Sequence, residues 1–288
     1  MFMKLTKIGN ICGGQDGAIY KNYLFRFDEG GNCKVFDLNL LSSDPDQKLD
    51  HIAKFALDKA DIINPHSNAV MFGSEFISET DEFPLLYTNI YNNYAGKPDP
   101  LKGVCCAYRV ERSEDGFKTT LVQIIRVGFT EDALWKSENI ADVRPYGNFT
   151  IDTEKGVLYA FTMRTEDKKI RYFAFDLPKS SEGTVSKEYG VNCVVLKKED
   201  VKEYFDCDYQ YFIQGACFKN GKVFSTEGFS DSTEAPPAIR VIDTEKKAQT
   251  ECLILGELGI TVEPELVDFF GENCLYSDCH GNLYRLEL

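Results

Sequence analysis

Three acidic residues of this sequence stand where they could do acid–base chemistry. Glu263 and Glu265 flank a single proline, and Asp16 precedes a small-residue segment near the start of the chain. Two carboxyl groups placed on either side of a bond can act as general acid and general base, as in glycoside hydrolysis. His66 follows another proline, and its imidazole could exchange a proton near neutral pH. These four residues are our candidate catalytic set.

A wider group of polar residues shares one kind of position, where a small-residue segment leads into an apolar, strand-like run. The candidates for ligand binding at these positions are Gln15, His66, Asn68, Arg144, Tyr146, Gln214 and Glu265. Their amide, imidazole, guanidinium, phenol and carboxyl groups could hold a sugar or a peptide end. The alternative is a water-filled channel whose polar walls only satisfy the hydrogen bonds of the strands.

Oxygen donors at the same positions form a candidate set for calcium, which binds carboxylate and amide oxygens. These donors are Asp16, Asn68, Asn148 and Glu265. The sequence contains no pair of histidines with metal-ligand spacing, no glycine-rich phosphate loop and no G-x-S-x-G nucleophile motif. We therefore expect no cofactor, with calcium as the alternative.

A pattern of strand-like runs recurs five times along the chain and must position these residues. Each unit opens with the small-residue segment, continues with a middle strand and then has a strand that ends in an acidic residue. These acidic-ended strands are residues 34–37, 108–111, 173–176, 240–243 and 283–287. A fourth strand follows in most units, at residues 52–57, 121–127, 191–196 and 249–255. Four strands per unit, repeated radially, predict an all-β five-bladed β-propeller of four-stranded antiparallel blades, with residues 1–288 as a single domain.

The two ends of the sequence predict how the ring closes. Residues 4–8 are strand-like and precede the first unit, whereas the fifth unit ends after its third strand. We expect the N-terminal strand to join the outer edge of the last blade, because this pairing covers two open edges. Residues 46–59 and 130–137 are the only plausible short helices, and both could instead be connections or strand extensions.

The first strand of each blade should line a central funnel, where we expect the ligand. Because side chains alternate along a strand, only about half of the strand-start residues can face the axis, and the sequence does not fix the register. A perturbed carboxyl pKa at the axis would favour an enzyme. An exposed apolar patch on one face would favour a protein-interaction scaffold.

One blade resembles a known family. Residues 213–216, which read Ile-Gln-Gly-Ala, together with residues 222–228 and 239–243, are similar to the repeat of the five-bladed glutaminyl cyclotransferases. The resemblance covers one blade of five and implies the propeller fold. For activity it implies an acyl transferase that uses Glu265 or Glu263 as acid and base.

Two further resemblances concern other propeller proteins. The whole chain resembles bacterial propeller proteins that carry the segment Asp-Glu-Phe-Pro-Leu-Leu-Tyr, here residues 81–87, and this resemblance implies no known activity. The calcium candidate set resembles the axial ligands of calcium-dependent lactonases, which usually have six blades. Small-ligand binding is our leading interpretation. The alternatives are an enzyme, namely a glutaminyl-cyclotransferase-like acyl transferase, a glycoside hydrolase or a lactonase, and a protein-interaction scaffold.

Composition narrows the partners and the compartment. Lys and Arg total 32 against 46 Asp and Glu, a net charge of −14, which repels nucleic acid and anionic membranes. With 43% hydrophobic residues the chain can bury a core. The ten cysteines form no C-x-x-C pair, and we find no signal peptide or membrane span. We expect reduced cysteines, a cytoplasmic protein, and a small polar molecule or a protein as the partner.

Overall fold

The computed structural model describes residues 4–63, 65–90, 104–127, 148–164, 168–208 and 213–287. Five small sheets stand around a central axis as the blades of a β-propeller, which confirms the predicted all-β fold. The innermost strand of each blade contacts the innermost strands of its two neighbours, so the five blades form a ring.

The strands are named in chain order, beginning with β1 (Lys4–Asn10). Blade 1 contains β2 (Gly17–Tyr20), β3 (Tyr23–Phe27), β4 (Asn32–Asp37) and β5 (Ala53–Ala56). Blade 2 begins with β6 (Val70–Phe72), β7 (Leu86–Ile90), β8 (Val104–Ser113) and β9 (Gly116–Val127). Next in the chain come β10 (Asn148–Asp152), β11 (Val157–Arg164), β12 (Lys169–Asp176), β13 (Thr184–Val185), β14 (Asn192–Leu196) and β15 (Glu203–Asp208). Blade 4 contains β16 (Ile213–Lys219), β17 (Lys222–Glu227), β18 (Ala238–Asp243) and β19 (Ala248–Ile254). Blade 5 contains β20 (Pro264–Phe270), β21 (Asn273–Asp278) and β22 (Asn282–Glu287).

Hydrophobic side chains on both faces of each blade build the core. Five buried clusters form, one between each pair of neighbouring blades around the ring. In β3, for example, Phe25 and Phe27 pack towards blade 2, whereas Leu24 packs towards blade 5. This follows from the alternation of side chains along a strand, and it explains why the strands read as nearly continuous apolar runs.

The N-terminal strand closes the ring as the sequence predicts. Strand β1 pairs antiparallel with β22 on the outer edge of blade 5, with Lys4 opposite Glu287. Leu5 packs against the cluster between blades 4 and 5, and Ile8 packs against the cluster between blades 5 and 1. The first and last strands of the fold are therefore joined by hydrogen bonds and by core contacts.

The prediction for the fourth strand of blade 3 is wrong. Blade 3 consists of β10, β11, β12 and β15, and the outer strand is β15 rather than residues 191–196. Strand β14 instead pairs in parallel with β9 of blade 2, and the short β13 extends the same sheet. Blade 2 therefore has six strands rather than four. An apolar run predicts a strand, but it does not say which sheet edge the strand will join.

The first of the two predicted helical segments, residues 46–59, contains no helical residue. It contains β5, and the one-turn helix α1 (Ala60–Ile63) begins just after it. Three short 3₁₀ segments also occur in the described part, at Leu38–Leu40, Lys198–Asp200 and Leu255–Leu258. Residues 130–137 lie outside the described residues. Among the residues that are described, no helix is long and apolar enough to cross a membrane.

Candidate functional site

The beginnings of the inner strands bring together polar residues from blades 1, 4 and 5. Asp16 lies immediately before β2, Gln214 is the second residue of β16, and Glu265 is the second residue of β20. All three are at most 8% exposed to solvent. The site described below is centred on these residues, and we call it the axial site.

Gly215 shows how closely these three blades approach each other. A Cβ atom at this position would lie 2.2 Å from the backbone oxygen of Glu265 and 3.0 Å from Oδ1 of Asp16. No side chain fits at the shorter distance, so only glycine allows β16 and β20 to pack here. The glycine of the Gln-Gly pair therefore has a steric reason, because it lets the start of β16 approach both Asp16 and Glu265.

Gln214 and Glu265 each occupy an irregularity of their inner strand. The pairing of β16 with β17 skips Gln214, and the pairing of β20 with β21 skips Glu265. Such bulges change the direction of a side chain and are frequent next to functional sites. They also break the alternation of side chains along the strand, so the sequence could not predict the face of the sheet to which these two side chains point.

Arg26 of β3 supplies the positive charge of the axial site. The residue is 2% exposed, and its Nη2 donates hydrogen bonds to the backbone oxygens of Gly14 at 2.8 Å and Asp278 at 3.1 Å. Its Nε and Nη1 have no hydrogen-bond partner among the described residues. The guanidinium acts electrostatically on both Glu265 and Asp16, although it forms no ion pair within 4 Å with any described carboxylate.

The two buried acids of the site favour their protonated forms. Burial raises the pKa of Glu265 to about 9, and the neighbouring carboxyls of Glu263 and Asp16 add to the rise, while Arg26 opposes it. Burial also raises the pKa of Asp16 well above its ordinary value, against the backbone N–H groups of Gly17 and Val70. A neutral Glu265 at pH 7 can donate a hydrogen bond or a proton.

Glu263 forms the outer side of the site. It is half-buried, its side chain accepts a hydrogen bond from Nε2 of Gln214, and its backbone N–H donates to Oγ of Ser230 at 2.8 Å. Burial raises the pKa of Glu263, and the hydrogen bond from Gln214 opposes this rise. The predicted residues Asp16, Gln214, Glu263 and Glu265 therefore belong to one cluster.

The predicted residues of blade 2 have a different environment. The side chain of Asn68 accepts a hydrogen bond from Asn89. Burial lowers the pKa of the half-buried His66, and the charge that opposes this effect is Glu29 in the β3–β4 turn, not an acid of the axial site. Gln15, in contrast, lies just before β2 of blade 1, next to Asp16. It is half-buried, and its backbone N–H donates to the backbone oxygen of Phe27 at 2.8 Å.

The remaining predicted residues are Asn148, Arg144 and Tyr146. Asn148 is 6% exposed at the start of β10, and its Oδ1 has no partner in the described structure. Arg144 and Tyr146 lie outside the described residues. Outside the predicted set, His280 is in the β21–β22 turn, where Oδ1 of Asp278 accepts its backbone N–H at 3.0 Å.

Two of the oxygen donors proposed for calcium already accept hydrogen bonds within the protein. Oδ2 of Asp16 accepts the backbone N–H of Val70 at 3.0 Å, and Oδ1 of Asn68 accepts from Asn89. Within the described ranges, no group of three or more His, Cys, Asp or Glu residues is arranged to hold a metal ion. None of the ten cysteines forms a disulfide in the described structure.

Arg26 is the functional candidate that the sequence analysis missed. It is the fourth residue of the run Tyr-Leu-Phe-Arg-Phe (residues 23–27), and both of its neighbours are buried phenylalanines. A charged residue within an otherwise apolar strand is costly unless it has a partner or a role. That mismatch was the available signal, but it does not say which residues Arg26 meets.

Comparisons with known proteins give likeness in overall shape only. No family model matches the sequence, and no curated protein matches it. The solved structure of Myxococcus xanthus glutaminyl cyclase is similar over 99% of this chain and 94% of its own, with 8% identity and a TM-score of 0.47. Saccharomyces cerevisiae Sqt1 is similar over 96% of this chain and 59% of its own, with 8% identity and a TM-score of 0.39. The computationally designed protein Ika8 is similar over 98% of this chain and 99% of its own, with 12% identity and a TM-score of 0.37. The five sheets themselves identify this chain as a five-bladed β-propeller.

Proposed function

We propose that this protein binds a small polar ligand, a sugar or a peptide end, at the axial site. The observation that carries the proposal is a set of buried polar atoms without partners in the described structure. They are Nε and Nη1 of Arg26, Oδ1 of Asp16 and Oε2 of Glu265. These atoms belong to residues from blades 1 and 5 that influence each other electrostatically.

Buried polar groups in folded proteins nearly always have hydrogen-bond partners, and each unpaired group costs about 1–3 kcal/mol. A ligand that carries both hydroxyl or amide donors and an acceptor would satisfy this set. The guanidinium offers donors, while Asp16 and Glu265 offer acceptors and, when protonated, a donor. The half-buried Gln15 and Glu263 stand beside this set and give a ligand polar contacts nearer the solvent.

A thermal-shift screen tests the proposal. The full chain is melted with sugars, glutaminyl peptides and lactones, with and without calcium, because a ligand that binds only the native state raises the Tm. We expect one ligand class to raise the Tm, and we expect Glu265→Gln to reduce this rise. The matched control is Glu287→Gln, which makes the same change at an exposed position of β22. The absence of a shift with every class, or an equal loss in the control, would contradict binding at the axial site.

A second candidate function is general-acid catalysis on the bound ligand. The pKa of Glu265 near 9 favours it, because a carboxyl group that keeps its proton at neutral pH can protonate a leaving group. Glu263, whose pKa is also raised, is the neighbouring carboxyl that could act as base. Turnover of glutaminyl peptides, aryl glycosides or lactones that is lost in Glu265→Gln would support an enzyme. Binding without turnover of any of these substrates would leave a binding protein.

A further inference from the structure

Three cationic side chains form a row across blade 1. In the strand register, Lys34 of β4 lies opposite Arg26 of β3 on one side and opposite Lys54 of β5 on the other. Residues opposite each other in neighbouring strands point to the same face of the sheet. This is the face that Leu24 directs towards blade 5.

The row is unusual because like charges lie directly opposite each other. Such pairs destabilise a sheet, whereas opposite charges stabilise it. The chain has 46 acidic residues, but neither Lys34 nor Lys54 forms an ion pair with any described carboxylate within 4 Å. The contact of Lys34 is instead with a thiol, since its Nζ lies 3.3 Å from Sγ of Cys12. Neither lysine therefore has a carboxylate within ion-pair distance among the described residues.

A cavity of about 340 Å³ lies against this row. Its wall includes Arg26, Lys34 and Lys54, together with Gly13, Asn32 and Phe55. The volume is within the range of pockets that hold small molecules. Asp28 is the acidic residue of the wall, and its two carboxylate oxygens already accept hydrogen bonds from the backbone N–H groups of Gly30 and Asn32 and from the Asn32 side chain, at 2.8–2.9 Å.

We propose that this pocket, which we call the blade-1 pocket, binds a small oxyanion between Lys34 and Lys54. The anion would be the carboxylate or phosphate group of a small molecule. Lysine ammonium groups bind either group through charge-assisted hydrogen bonds. An oxyanion would supply the counter-charge that the sheet register leaves missing. Arg26 lines this pocket and also belongs to the axial site, but neither lysine takes part in the axial site, and neither Asp16 nor Glu265 lines the pocket.

Thermal unfolding of the full chain in different sodium salts tests this proposal. Phosphate, succinate and chloride are compared at equal ionic strength, so that general screening is the same in each. We expect phosphate or succinate to raise the Tm by about 2–4 °C over chloride at a concentration well above its Kd. A response to phosphate alone would identify a phosphate site, and a response to succinate alone would identify a carboxylate site. Equal Tm values in all three salts would overturn the proposal.

Two double variants locate the effect. Lys34→Met with Lys54→Met should abolish the rise in Tm, while Lys4→Met with Lys48→Met should preserve it. The second pair removes the same charge at two exposed lysines outside the pocket. An equal loss in both double variants would mean that the anion acts on overall charge, and this would also overturn the proposal. Glu265→Gln should retain the response, which separates failure of this pocket from failure of the axial site.

Cys12 gives a second readout beside the pocket. Because Nζ of Lys34 lies 3.3 Å from Sγ of Cys12, an anion held by Lys34 should shield this sulfur and slow its reaction with iodoacetamide. The exposed Cys252 on β19 of blade 4 is an internal control in the same sample. Mass spectrometry should show slower labelling of Cys12 at unchanged labelling of Cys252. Equal rates at Cys12 with and without the anion would contradict occupation of the pocket.

Discussion

The carboxylate of Asp268 in β20 accepts the backbone N–H of Ile19 in β2, with a distance of 2.6 Å between Oδ2 and the nitrogen. Its other oxygen accepts the backbone N–H of Phe269 at 2.8 Å. One side chain of the last blade therefore binds the inner strand of the first blade. Together with the pairing of β1 and β22, this contact joins the two ends of the ring on its inner and outer sides.

Replacement of Asp268 should weaken this inner junction. Asp268→Ala removes both acceptors and should lower the free energy of unfolding by about 1–3 kcal/mol, because the N–H of Ile19 loses its partner. Asp268→Asn keeps one acceptor and should cost less. Urea unfolding followed by circular dichroism measures both. Equal stability of the alanine variant and the parent protein would show that the contact contributes nothing to closure.

The outer junction, between β1 and β22, should contribute more to the stability of the fold than the inner junction at Asp268. Removal of residues 1–10 deletes β1, exposes the edge of β22 and removes Leu5 and Ile8 from two core clusters. We expect loss of the cooperative unfolding transition or a large fall in Tm, measured by calorimetry. A synthetic peptide of residues 1–10 added in trans should recover part of the stability. A truncated protein that melts within a few degrees of the parent would contradict closure by this strand.

Protonation of Glu265 should couple the axial site to stability. Its pKa is about 9 in the folded protein against an ordinary value of 4.5, so the folded state holds a proton that the unfolded state has released across this interval. Its contribution to stability therefore falls as the pH rises from about 5 to 9. Glu265→Gln cannot titrate, so the difference in stability between variant and parent should change in favour of the variant over this range. A difference that is constant between pH 5 and pH 9 would contradict the shifted pKa.

Removal of one partner of a buried ion pair should strongly reduce the stability of the protein. Nε of Arg240 in β18 lies 2.7 Å from Oε1 of Glu227 in β17, and the two side chains are 9% and 2% exposed. Arg240→Ala leaves the Glu227 carboxylate without its counter-ion and should cost about 3–5 kcal/mol. The pair Arg240→Met with Glu227→Leu should be less destabilised than Arg240→Ala, because no buried charge remains. A double-mutant cycle measured by urea unfolding would show this, and additive effects would contradict it.

The sequence predicts the architecture well because the relevant signal is local and repeated. Five acidic-ended strands and an unpaired N-terminal strand suffice for the number of blades and the closure by β1. The placement of β14 could not be predicted, because it depends on a long connection that returns to blade 2. This connection is bound to blade 2 at the start of β14, since Gln123 of β9 lies opposite Asn192 and its Nε2 donates to the backbone oxygens of Lys179 and Glu182.

The axial site could be predicted only in part for a different reason. Residue types at strand starts predict Asp16, Gln214 and Glu265 as site residues, and the fold places the three at neighbouring inner-strand starts of blades 1, 4 and 5. The remaining features depend on how the strands pack in the folded protein. They are the bulges at Gln214 and Glu265 and the position of Arg26, which extends into the site from the second strand of blade 1. No spacing in the sequence indicates them, so the electrostatic partner of the two acids was missed.

We propose above all that a ligand in the axial site satisfies Nε and Nη1 of Arg26, which have no partner among the described residues. The most direct test is an NMR titration of protein labelled with ¹⁵N-arginine, in which the nine arginines give few Nε–H resonances. The resonance of Arg26 is assigned by its loss in Arg26→Lys, and sugars, glutaminyl peptides and lactones are then added in turn. We predict that one ligand class moves the Arg26 resonance and that Glu265→Gln weakens this change. An Arg26 resonance that stays in place with every class, or that stays in place while a ligand raises the Tm, would contradict the account.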